Sequence, residues 1–66
     1  MPPIHKVREA IRRVEADGWI VARQKGSHRH FKHATKRGIV TIAGKPSDDL
    51  SPKTYASIMQ QAQLSE

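Results

Sequence analysis

Apolar residues recur at Ile4, Val7, Ile11 and Val14, with Ala10 close to the same stripe, and this spacing predicts a helix over residues 3 to 16. Pro2-Pro3 suits the first turn of such a helix, and Asp17-Gly18 supplies its stop signal. The period then changes. Trp19-Ile20-Val21-Ala22 is bulky and β-branched, which predicts a strand over residues 19 to 24. Trp19 and Val21, the larger pair, are expected in the core; Ile20, Ala22 and Gln24 then face outward, and Arg23 leans over the rim on its methylene stem. Lys25-Gly26 reads as a hairpin bend feeding a second strand over 27 to 33. Lys36-Arg37-Gly38 is a second hairpin loop, and Ile39 to Ala43 a third strand, β-branched at four consecutive positions. After a loop from Gly44 to Leu50, Ser51-Pro52 opens a helix whose inward stripe is Tyr55, Ile58, Met59 and Ala62, with Leu64 near its end. The expected architecture is α+β, in the order α-β-β-β-α, with both helical stripes needing one face of a three-stranded antiparallel sheet.

With 66 residues, 36% of them hydrophobic and only one Trp, one Tyr and one Phe, the chain forms a single domain over residues 1 to 66 whose core is too small for an internal ligand pocket. Function belongs on a surface. Cysteine is absent, which removes disulfides and thiolate metal sites and suits a reducing cytoplasm. No apolar run approaches the roughly 20 residues of a membrane span, and the N-terminus lacks a signal-peptide pattern, so no membrane partner is expected.

The formal charge of +6 is unevenly placed. From Arg23 to Arg37 the chain carries Arg23, Lys25, Arg29, Lys32, Lys36 and Arg37, with His28, His30 and His33 among them and no acidic residue. A tract of one sign draws in polyanions; its plainer reading is a solvated surface. Within it, Gly26-Ser27-His28-Arg29-His30-Phe31 packs a turn glycine, a hydroxyl, two imidazoles and a guanidinium before an aromatic residue. If Phe31 points inward, Ser27, Arg29 and His33 share its side, and His28, His30 and Lys32 take the other. His28 then stands on an open basic face, where it is either a solvated residue or a proton-transfer group. Chelation by His28-x-His30 is weak as a metal reading, since no cysteine or nearby carboxylate completes a four-ligand shell. His5 has no evident partner and is expected on the surface. Trp19 is expected in the core; the competing role is a base-stacking platform.

The chain resembles the HicA toxins of bacterial and archaeal HicA/HicB toxin-antitoxin pairs, small mRNA-cleaving proteins with a fold like the double-stranded RNA-binding domain. The resemblance rests on Asp17-Gly18-Trp19, Arg23-Gln24-Lys25-Gly26-Ser27-His28, Phe31-Lys32-His33, Val40-Thr41-Ile42, and the stretch from Asp48-Asp49-Leu50 through Leu64. These segments lie in order along nearly the whole chain. Two positions depart from the usual pattern: Lys45 stands where many members have a histidine, and Gln63 where a helix-ending glycine is common.

The resemblance implies a cytoplasmic endoribonuclease that needs no cofactor, acts on mRNA and is neutralised by a HicB-type antitoxin covering its active face. Its catalytic histidine falls on His28. The chemistry is reasonable without a metal, because the ribose 2′-hydroxyl is a built-in nucleophile and an imidazole with an ordinary pKa of about 6.5 can take its proton at neutral pH. Arg23, Lys25, Gly26, Ser27, Arg29, His30 and Lys32 are the expected RNA contacts, with His30 in reserve as the catalytic group and His33 structural. The rival readings are a non-catalytic RNA-binding module and, further off, a DNA-binding regulator, for which no recognition helix is visible.

Overall fold

The structure is a computed structural model and describes residues 4 to 64; Pro2 and Pro3, expected to open the first helix, lie outside them. The chain is α+β: β1 (His5–Lys6), α1 (Val7–Ala16), β2 (Ile20–Lys25), β3 (His28–Lys32), β4 (Val40–Ile42), β5 (Asp49–Leu50) and α2 (Pro52–Gln61). β2, β3 and β4 form the three-stranded antiparallel sheet in that order. Two short strands were not expected: β1 pairs antiparallel with β5, joining the two ends of the fold.

That pairing explains why the first helix starts at Val7 rather than at residue 3. His5 and Lys6 are extended, and Ile4 is 64% exposed outside the apolar stripe. The free amides of the first turn are taken by the loop before β5: Val7 N–H donates to Asp48 O at 2.9 Å and Arg8 N–H to Pro46 O at 3.1 Å. Glu9 accepts from the Lys6 N–H at 3.2 Å and pairs with His5 Nδ1 at 3.0 Å. His5 is therefore not a free surface residue. Its ring stacks on Tyr55, with centroids 3.7 Å apart and planes inclined by 14°. The His5 hydrogen bond, then the Lys6 amide, holds the Glu9 carboxyl below its ordinary range.

One hydrophobic cluster gathers Val7, Ala10 and Val14 of α1, Phe31 of β3, Val40 and Ile42 of β4, and Tyr55, Ile58 and Met59 of α2, with Trp19, Leu50 and Ala62. Full burial of a side chain the size of Phe31 contributes about 3 kcal/mol. Val21 was expected in this core and is instead 43% exposed. It lies on the Phe31 side of the sheet, but β2 is an edge strand whose residues are all exposed. Trp19 fills the space as the last buried residue before β2 begins.

α2 opens as the sequence indicates, with Ser51 Oγ accepting from Thr54 N–H at 3.1 Å and Pro52 in first place. Its far end is a Schellman closure: Leu64 N–H donates to Met59 O at 2.9 Å, Gln63 N–H to Gln60 O at 3.0 Å, and Gln63 has φ +58°. A left-handed non-glycine residue costs about 1–2 kcal/mol. Here the Gln63 side chain offsets part of that by donating to Arg37 O at 2.9 Å.

α1 ends in the same closure, with Trp19 N–H on Val14 O at 3.1 Å and Gly18 N–H on Glu15 O at 3.0 Å. Gly18 has φ +102°, and a Cβ there would stand 2.9 Å from His33 Nε2. His33 uses that gap. Its Nε2–H donates to Asp17 O at 2.6 Å, and its Nδ1 accepts from Thr35 N–H at 3.0 Å and Lys36 N–H at 3.2 Å, which fixes one neutral tautomer. The ring meets Trp19 edge-on with centroids 5.2 Å apart. Lys36 Nζ lies 2.5 Å from Asp17 Oδ2, and this hydrogen bond, ahead of the Lys36 charge, lowers the Asp17 carboxyl.

Two outcomes follow from this junction. Gly18→Ala is expected to cost about 2 kcal/mol, and Gly26→Ala, with φ +58° but open space around it, about 1 kcal/mol, as read from urea midpoints. Because the folded carboxyl of Asp17 sits below its ordinary 3.8, its contribution is full above that value and lost as pH falls through the lower folded one. The stability gap between the wild type and Asp17→Asn should accordingly narrow on acidification below about pH 4.

Candidate nucleic-acid interface

β2 has six residues and β3 five, so one residue of β2 must go unpaired. It is Ala22. Val21 stands opposite Phe31, and the next pair is Arg23 with His30, followed by Gln24 with Arg29 and Lys25 with His28. Residues directly opposite in an antiparallel ladder project to the same side, and a bulge shifts the parity of everything beyond it. Uninterrupted alternation would send Ala22 and Gln24 to the side of His28 and His30, as the sequence pattern suggested. The bulge sends Arg23 and Lys25 there, and returns Gln24 to the side of Phe31 and Arg29.

The side opposite Phe31 therefore carries a four-cornered cluster. Lys25 faces His28, and Arg23 faces His30, each across about 5 Å between Cβ atoms. The two pairs are separated by about 7 Å along the strands. Lys32, the next outward residue of β3, extends the row. Among the described residues no carboxylate pairs with Arg23, Lys25 or Lys32. Ala22, Arg23, His30 and Lys32, with Ile39 from the loop before β4, line an open groove. Ile20 and Ile39, 68% and 49% exposed, add apolar surface to this side of the molecule.

The hairpin holds His28 at its mouth. Gly26 and Ser27 form the two-residue turn between Lys25 and His28, and the positive φ of Gly26 gives it the twist that matches its strands. Gln24 Nε2 braces the turn from Gly26 O at 3.0 Å. His28 is exposed, and among the described residues nothing hydrogen-bonds its ring. His30 is half-buried and held: its Nδ1 lies 3.2 Å from Thr41 Oγ1, the residue opposite it on β4.

Arg29 is on the other side, as alternation requires. Its guanidinium NH1 donates to Gly44 O at 2.9 Å and to Ser27 O at 3.2 Å, tying the start of β3 to the loop that leaves β4. Lys45 follows in that loop, exposed, with its N–H on Asp48 Oδ2 at 2.9 Å. The structure thus brings together Arg23, Lys25, His28, His30 and Lys32, places Gly26 and Ser27 at the turn, and separates Arg29 from the cluster. Two features escaped the sequence reading. Thr41 left only the signal of one polar residue between inward Val40 and Ile42. The bulge left a break in period, since apolar Ile20 and Val21 adjoin a basic pair spaced by two.

Among the described residues, cations without a carboxylate partner and two imidazoles share one open sheet face, a surface whose charge attracts polyanions. The model of the family described as HicA toxin of bacterial toxin-antitoxin systems matches residues 7–64, from the first residue of α1 to the Schellman closure of α2. The chain belongs to that family, and it is accordingly a toxin of a toxin-antitoxin pair whose counterpart is an antitoxin. No curated relative matches the chain. Among the described residues no helix is long and apolar enough to cross a membrane.

Proposed function

We propose that the protein is a metal-independent endoribonuclease that cleaves mRNA, with His28 transferring the proton that starts the reaction. The single observation that carries this reading is the placement of an unencumbered imidazole at a hairpin mouth, directly across from Lys25 and on one face with Arg23, His30 and Lys32. Membership in a toxin family supports it.

His28 takes the proton of a ribose 2′-hydroxyl; the oxygen attacks the adjacent phosphorus, and the bond to the 5′-oxygen breaks. General base assistance contributes about 10²- to 10⁴-fold. The remaining acceleration comes from cations set against the charge that grows on the phosphate, which are Lys25 and Arg23 at the cluster and Lys32 beside it. Gly26 and Ser27 let the RNA backbone approach the turn. Arg29, with NH1 engaged by two carbonyls, adds charge to the field and rigidity to the hairpin. The apolar surfaces of Ile20 and Ile39 suit the flat faces of bases.

In the same reading residues 1 to 66 form one domain of the double-stranded RNA-binding type, with both helices on the Phe31 side of the sheet. The convergence of both helices with Phe31, Val40 and Ile42 in one cluster supports that arrangement. It leaves the histidine face free for mRNA in the cytoplasm, and for a HicB-type antitoxin that covers it when the toxin is held inactive. Such a partner would be acidic on the contacting surface.

The test is cleavage of a labelled mRNA by the wild type and by His28→Ala in excess chelator. The wild type should cut; the variant should lose about 10²-fold or more in rate while its unfolding midpoint and RNA affinity stay in place. Unchanged cleavage by His28→Ala would remove His28 from the chemistry, and binding without any cleavage by the wild type would leave an RNA-binding module.

A further inference from the structure

We infer that His30, oriented by Thr41, is the second proton-transfer residue of the site and protonates the leaving 5′-oxygen while His28 deprotonates the 2′-hydroxyl. This rests on the ribonuclease reading above and assigns the half of the reaction which that reading leaves open.

In-line attack puts the entering 2′-oxygen and the departing 5′-oxygen on opposite sides of the phosphorus, so one imidazole cannot serve both at once. Each oxygen needs its own ring nitrogen at about 3 Å. Two histidines spaced by two on one strand share a face and stand about 7 Å apart, which is room for a phosphate between their rings. The cations are placed to hold it there, since Lys25 lies opposite one ring and Arg23 opposite the other.

The two rings are also held differently, in the way their roles require. His28 is exposed with no partner among the described residues, free to meet a ribose hydroxyl. His30 is half-buried and lines the groove, with Nδ1 3.2 Å from Thr41 Oγ1. A hydroxyl oxygen can accept the Nδ1–H of an imidazolium, which leaves Nε2–H as the proton to be given. The step balances. The 2′-oxygen–phosphorus bond forms as its proton passes to His28, and the phosphorus–5′-oxygen bond breaks as the His30 proton passes to the leaving oxygen. The products are a 2′,3′-cyclic phosphate and a free 5′-hydroxyl, and exchange with water resets both rings.

A general acid is dispensable when the leaving atom needs no proton. The experiment uses an RNA oligonucleotide containing a linkage the wild type cuts, made once with the natural 5′-oxygen and once with sulfur in its place, so that a stable thiolate departs. His30→Ala should cut the natural oligonucleotide about 10²-fold or more slowly than the wild type and approach the wild-type rate on the sulfur-linked one. His28→Ala should remain slow on both. Thr41→Val, which keeps the backbone and removes the hydroxyl, should show a smaller loss that the sulfur linkage also erases, and Thr41→Ser should restore the natural rate. The inference is overturned if His30→Ala cuts the natural RNA at the wild-type rate, or if its defect is as large on the sulfur-linked RNA as on the natural one. Failure of the wild type itself to cut either oligonucleotide would instead sink the ribonuclease reading beneath it.

Discussion

Six residues facing five is the constraint on which the rest of the structure turns. β2 and β3 are pinned at both ends, so their unequal lengths cannot be absorbed by fraying. At one end Trp19 is buried directly before β2, and His33, directly after β3, is bonded to the carbonyl of Asp17. At the other end the Gly26-Ser27 turn pairs Lys25 with His28. One residue must bulge out between these fixed points, and Ala22 does so with no large side chain to accommodate. The parity change that follows moves two cations across the sheet to face two histidines.

The junction of Gly18, His33, Asp17 and Lys36 is the foundation of that arrangement. Glycine is required there twice over, by its left-handed backbone and by the ring that occupies the place of a Cβ. Lys36 adds a third tether, reaching Ala62 O at 3.2 Å as well as the carboxylate of Asp17, so that the ends of both helices and the exit from β3 are bound together. The energetic weight of the fold therefore lies at the end of the sheet away from the hairpin. The hairpin tip, where the proposed proton-transfer residue His28 stands, has little burial of its own, which is the division expected where a rigid scaffold presents a working loop.

Much of this was legible in the chain. The stripes of Val7, Ala10 and Val14 and of Tyr55, Ile58, Met59 and Ala62 declare two helices, Lys25-Gly26 declares the hairpin bend, and the outward parity of His28, His30 and Lys32 follows from an inward Phe31. What was not legible depended on contacts distant in sequence. The β1–β5 pairing joins residues more than forty positions apart, and it alone explains why Ile4 drops out of a stripe whose spacing it fits. His5 looked solitary because Tyr55, its stacking partner, lies on the last helix. The inward placement of Val21 failed for a different reason, because alternation specifies a side of the sheet but not whether anything covers that side at an edge strand. The bulge defeated the placement of Arg23 and Gln24 in turn, since strand-pair counts are set by what anchors each end. Gln63 is the opposite case. Its departure from glycine changed nothing in how α2 stops, because the backbone still takes the left-handed turn and a side-chain bond to Arg37 O helps to hold it.

The shared face of Arg23, Lys25, His28 and His30 is most directly tested by nuclear magnetic resonance of the four imidazoles during titration with a fully 2′-O-methylated RNA, which binds but lacks the nucleophile. The ring signals of His28 and His30 should move together and saturate at one RNA concentration, while those of His33, bonded to Asp17 O, and His5, stacked on Tyr55, stay in place. Movement of His33 or His5 with His28 and His30 unmoved would put the RNA on another surface and contradict the account.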